Sequence, residues 1–98
     1  MSIYRRNAKR DASEPAIVEY LLHRGAMVRR ISGAGIPDLL VGWCGRWILL
    51  ECKTGKGDLT PAQQDFHQSA TRKGLPVYTV NSVERTDDIL DRILRLAR

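Results

Sequence analysis

Cysteine, aromatic residues and long apolar runs are all scarce in this sequence. Two cysteines in 98 residues, Cys44 and Cys52, are too few for a cysteine-rich zinc framework. They are not cross-strand partners in the hairpin read below, which argues against a disulfide. No apolar stretch approaches the ~18 residues of a spanning helix, and the first residues carry no signal-peptide core. These absences lead us to expect a reduced, cytoplasmic protein without membrane contact. Aromatics make up only 6%. Trp43 and Trp47, close together near a turn, read as packing residues rather than base-stacking platforms, or as part of a subunit contact. Repeats, low-complexity segments and internal linkers are missing too.

What is present is the profile of an ordinary globular chain, 43% hydrophobic and 28% charged. Its length suffices for one core without staples. A formal net charge of +5 suits a polyanionic partner, although ordinary solubility explains that value equally well. Residues 1–12 are polar and basic (Arg5, Arg6, Lys9, Arg10) with little apolar periodicity. They read as a mobile arm, which leaves 13–98 as a single domain.

A first helix is expected over 13–24, with Ser13 as N-cap, Pro15 in the first turn and Gly25 as the stop. Ile17, Val18, Leu21 and Leu22 form its apolar stripe. Glu14 falls near the centre of that stripe, where an acid is unexpected, yet the helix dipole also favours a first-turn glutamate. A strand follows over 26–31, then a small-residue loop over 32–35 that allows close approach of a backbone or a phosphate. Pro37 prevents ladder pairing just before Asp38. Two apolar runs, 38–43 and 46–53, flank a glycine-containing turn and read as a β-hairpin. Thr60, Pro61 and Gln63 announce a second helix as N-cap, N1 and N3, ending at Gly74. A fourth strand over 75–80 and an amphipathic helix (Ile89, Leu90, Ile93, Leu94) complete the chain. The order is α-β-β-β-α-β-α. Strands three and four are joined through a helix and should run parallel. The fold class is therefore α/β: a mixed four-stranded sheet flanked by helices, plus a C-terminal helix.

The chemistry concentrates at the open end of the hairpin. With Cys44 and Gly45 as the two-residue turn, Asp38 lies across from Glu51, ~5 Å away at Cβ. Lys53, two residues on, shares that face. Two carboxylates on a mostly apolar hairpin suit a hard divalent cation, Mg²⁺ or Mn²⁺, with Asp38, Glu51 and the backbone carbonyl of Cys52 as ligands. Such an ion polarises a phosphodiester and acidifies a water. The neighbouring carboxylates favour the ammonium form of Lys53, so it reads as a cation that orients the water and offsets charge on the phosphate. Glu14 would hold a water or a second metal. The competing reading is a solvated surface charge network. Against it stand the proline before Asp38, the pairing of the two acids, and the near-continuous apolar strand that Glu51 and Lys53 terminate.

Four segments in order carry a resemblance: Ser13-Glu14, then Gly33-Ala34-Gly35-Ile36-Pro37-Asp38, Leu50-Glu51-Cys52-Lys53, and Gly57-Asp58-Leu59-Thr60-Pro61-Ala62-Gln63. Together they resemble the VRR-NUC (virus-type replication-repair nuclease) domain of the PD-(D/E)xK nuclease superfamily. That domain stands alone in phages and bacteria and is fused in the Fanconi-associated nuclease. The resemblance implies a restriction-endonuclease-like αβββαβ core and metal-dependent phosphodiester hydrolysis. Glu14, Asp38, Glu51, Lys53 and Gln63 would be catalytic, although Gln63 also fits the capping box. Standalone members resemble Holliday-junction resolvases, which implies four-way or branched DNA and a homodimer, in a bacterial or phage-infected cytoplasm. Arg29, Arg30, Ser32, Gly33 and Lys56 are the expected phosphate-binding residues, with at most one of Arg29 and Arg30 near the site. His23 and His67 read as surface residues. The alternatives are an inactive nucleic-acid-binding module, or a nuclease acting on RNA or linear duplex ends.

Overall fold

The turn of the hairpin shows why its register is unambiguous. Cys44 (φ 52°) and Gly45 (φ 74°) both take left-handed backbone, the signature of a tight type I′ turn whose twist matches its strands. The structure, a computed structural model, describes residues 10–55 and 58–97. Strands β2 (Leu39–Trp43) and β3 (Arg46–Cys52) pair antiparallel from Trp43↔Arg46 to Leu39↔Leu50. The observed pairs end there, and Asp38 stands at a bend just before β2, next in line with Glu51. Strand β1 (Met27–Arg30) pairs antiparallel with β2, and β4 (Val77–Val80) pairs parallel with β3. The sheet order is β1-β2-β3-β4.

Helices α1 (Glu14–His23), α2 (Pro61–Arg72) and α3 (Val83–Leu96) flank this sheet. Side chains alternate along a strand, so Leu39, Val41, Ile48, Leu50 and Cys52 face one way. They meet Ile17, Val18 and Leu21 of α1 and Ile89, Leu90 and Ile93 of α3 in the hydrophobic core. Leu22, placed in the apolar stripe by the sequence, is instead 56% exposed. Trp43 donates its indole N–H to the Leu90 carbonyl (3.1 Å) and lies under the Arg24 guanidinium. Arg24 in turn joins Tyr20 of α1 to Asp87 of α3. Trp43 is thus a packing residue, whereas Trp47 is 56% exposed.

The opposite face, carrying Glu51, is overlaid by α2. Both helices that lead into strands end the same way. Gly25 and Gly74, with positive φ, close α1 and α2 through paired bonds back to Leu22 and Leu21, and to Thr71 and Ala70. The expected Ser13 cap is corrected: Ser13 has helical backbone and caps nothing with its side chain. Asp11 has taken its hydroxyl and its N–H instead. Among the described residues no helix is long and apolar enough to cross a membrane.

Candidate active site

Asp38 sits where the β2–β3 ladder ends, and a side chain replaces the next rung. Its carboxylate accepts the Cys52 N–H at 2.7 Å. Within an extended residue the N–H and C=O point to the same side, so the Cys52 carbonyl also faces the Asp38 edge. Lys53 continues the parallel ladder by donating its N–H to Val80 (2.9 Å), which directs its side chain to the Glu51 face. Glu51 itself is only 2% exposed. Burial first, then a hydrogen bond to Asp38 and that aspartate's charge, push the Glu51 carboxyl up to about 8, with Lys53 and Arg10 opposing. Asp38 and Glu51 therefore set two acidic groups against each other, an arrangement that a cation between them would relieve.

Two features of α2 bring it to this pair. Gly35 has φ +76°, and a Cβ there would lie 2.5 Å from the Ala62 carbonyl oxygen. The glycine loop is thus approached by a backbone, the first turn of α2. Thr60 and Gln63 form the full capping box. The Gln63 Oε1 accepts the Thr60 N–H (2.8 Å), and the Nε2 donates to Glu51 Oε2 (3.3 Å). The two ends of one side chain thus serve both readings of Gln63. One turn later, His67 points at the other carboxyl oxygen, with Nε2 3.7 Å from Glu51 Oε1. Both atoms are buried and lack a hydrogen-bond partner among the described residues. At that distance they are not bonded. They are not an ion pair either, because burial holds the imidazole below its ordinary value and the carboxyl above its own. The surface placement expected for His67 is corrected. Its spacing of four from Gln63 was the available signal.

Glu14 is 1% exposed at the head of α1. Arg10 Nε lies 3.0 and 3.1 Å from its two oxygens, and Arg30 Nε lies 2.7 Å from one. Glu14, Asp38 and the Cys52 sulfur approach within 4.8 Å of one another. Burial, then the surrounding acids, push the Cys52 thiol up to about 12 in the metal-free protein, and Glu14 and Asp38 supply the oxygen donors of this group. A cleft of about 350 Å³ opens here, lined by Arg10, Asp11, Asp38, Glu51, Lys53 and Gln63 among others.

No family model and no curated protein matches the chain. A solved structure described as a VRR_NUC domain does, with a TM-score of 0.68 and 27% identity over 81% of this chain and 95% of that one. The fold is that of a VRR-NUC domain. In this VRR-NUC fold, Glu14, Asp38, Glu51, Lys53 and Gln63 converge from four elements and their flanks. Of the expected phosphate-binding residues, Arg30 is bound to Glu14 and half-exposed. Arg29 donates to its neighbour's carbonyl, Val28 O, from the other strand face. Ser32 and Gly33 are exposed in the loop, and Lys56 lies outside the described residues, as do residues 1–9 of the basic arm. Sequence reasoning missed Arg10 and Asp11 as site residues, because the partners that bring them to the site, Ile31, Asp38 and Thr54, are remote in the chain.

Proposed function

We propose that this chain is a metal-dependent DNA endonuclease that hydrolyses phosphodiester bonds in branched, junction-like DNA. The VRR-NUC likeness supports the reaction class, since that family is a family of nuclease domains. The observation that carries the reading in this chain is Glu51, a buried carboxyl pressed against Asp38 in the lining of a cleft, with its other oxygen unpartnered beside His67. A carboxyl so placed favours a cation beside it, and its neighbours suit a hard one. Asp38, Glu51 and the Cys52 carbonyl would hold Mg²⁺ or Mn²⁺. When bound, the ion supplies Lewis acidity to the phosphodiester and to the attacking water.

The remaining work falls to the chain itself. Lys53 orients the water and offsets the charge that gathers on phosphorus as one P–O ester bond breaks. Gln63 fixes Glu51 by donating to its second oxygen. Glu14 is the helix-borne acid behind Asp38. With two guanidiniums already on its oxygens, it acts first as their anchor. Arg30, Arg29, Ser32, Gly33 and Lys56 offer positive charge and small-residue backbone to phosphates. A homodimer would present two such sites to a four-way junction. An apolar groove at the hairpin turn, lined by Trp43, Trp47 and Met27, supports self-association. It lies at the end of the hairpin away from Asp38.

The test incubates the protein with a four-way junction, a flap, linear duplex and RNA, in Mg²⁺, Mn²⁺ or EDTA. We expect cleavage of the branched substrates in either metal and none in EDTA. Binding without cleavage in every metal would replace this reading with an inactive nucleic-acid-binding module. Cleavage confined to RNA or duplex ends would replace the branched-DNA assignment.

A further inference from the structure

We infer that the dipeptide Arg10–Asp11 is a clasp that positions Asp38 and Lys53 relative to one another. The inference rests on the nuclease reading for its consequence and on geometry for its existence. The β2–β3 ladder stops at Leu39↔Leu50, so the segments bearing Asp38 and Lys53 run on past the last regular rung. Each segment is still held by its outer neighbour, Asp38 through the Ile31 N–H and Lys53 through Val80, and the two meet through the Asp38 carboxylate on the Cys52 N–H. The chain from before α1 crosses this end of the hairpin.

Arg10 takes one side. Its Nη2 donates to the carbonyl of Asp38 itself (2.9 Å) and its Nη1 to the carbonyl of Ile31 (3.2 Å). Its Nε is held by Glu14. One planar guanidinium thus fixes the helix head, the end of β1 and the peptide of Asp38, with the rigid geometry that arginine provides. Asp11 takes the other side. Its Oδ2 accepts the N–H of Thr54 (2.9 Å), and its Oδ1 accepts the Thr54 hydroxyl and the N–H and hydroxyl of Ser13. Thr54 is the residue after Lys53. Burial opposes the Asp11 charge, yet the bonds from Thr54 and Ser13 outweigh it and hold the carboxyl well below the usual carboxylate range.

A role confined to capping α1 needs only the Ser13 bonds. The two bonds to Thr54, 43 residues away, are what that role leaves unexplained. They tie the backbone beside Lys53 to the element that carries Arg10. Neither residue needs to touch substrate. Both act through the groups they hold.

The substitution that separates the roles is Asp11→Asn. Asparagine still caps helices and forms the same local turn, but one of its two side-chain atoms becomes a donor and cannot accept both Thr54 groups. We expect a melting temperature close to that of the wild type, and Thr54 amide exchange in metal-free protein accelerated on the order of tenfold or more. Single-turnover cleavage should fall on the order of tenfold or more, since sub-ångström misplacement is that costly. Affinity for a junction in Ca²⁺ should change less than about threefold, because binding is spread over many phosphates. Thr54→Val removes only the hydroxyl half and should lie between wild type and Asp11→Asn in both readouts. Unchanged Thr54 exchange would overturn the clasp, and so would full cleavage activity in a variant whose exchange is accelerated. The exchange arm needs neither metal nor substrate. A wild type that fails to cut sinks the nuclease reading and leaves the clasp to be judged on exchange alone.

Discussion

At the scale of single residues, Glu51 governs how the metal-free protein should respond to pH. Its carboxyl is raised from 4.5 to about 8. A carboxyl with a raised folded value stabilises fully below 4.5, and that contribution is lost as pH climbs through about 8. The shift of His67 has the opposite sign. A buried neutral imidazole costs stability only as pH falls below its ordinary 6.5. Between about pH 7 and 8.5 the slope therefore belongs mainly to Glu51, with the raised Cys52 thiol adding a decline of the same sign toward the upper end. Melting temperatures should decline across that window, and saturating Mg²⁺ or Mn²⁺ should flatten the decline. Glu51→Gln should flatten it without metal. A second residue-level prediction divides the two jobs of Gln63. Gln63→Glu keeps an acceptor for the Thr60 N–H but loses the donor to Glu51, so it should fold normally and cleave poorly. Gln63→Ala should lose activity and also about 1 kcal/mol of stability in urea titration, the usual value of a helix cap.

At the scale of elements, the close contact between the glycine loop and α2 holds Gln63 and His67 over Glu51. A side chain at residue 35 would meet backbone at 2.5 Å in left-handed conformation. Gly35→Ala should therefore cost about 2 kcal/mol or more in denaturant unfolding. Gly45→Ala, also left-handed but in open space, should cost about 1 kcal/mol. Which elements were legible from sequence follows from where their determinants lie. The hairpin pairing was legible because turn, alternation and Pro37 are all local. The burial of Glu14 was legible from the 3.6-residue wheel. The capping box was legible because Thr60 and Gln63 stand three apart. Arg10 and Asp11 were not, since their key partners stand 28 and 43 residues away and no local pattern marks them. The Ser13 cap misled for a related reason: the competing acceptor, Asp11, sits outside the helix. His67 had a readable signal in its spacing from Gln63, but only with α2 placed over the sheet does that spacing acquire meaning.

At the scale of the whole molecule, the two ends of the hairpin divide the labour. The open end gathers the charged groups, and the turn end presents Trp47 and Met27, 56% and 46% exposed. If the turn end joins two copies, light scattering at micromolar concentration should give the mass of two chains, and Trp47→Glu should give one while leaving the melting temperature nearly unchanged. A monomeric wild type would remove the paired-site reading and leave the chemistry of each site standing. That chemistry has its most direct test in one measurement, single-turnover cleavage of a labelled four-way junction by wild type and Asp38→Ala across a Mg²⁺ titration. The account predicts cleavage that saturates with Mg²⁺ and vanishes in EDTA, and a loss on the order of a thousandfold or more in Asp38→Ala. Cleavage that persists in EDTA, or that Asp38→Ala retains, would contradict it.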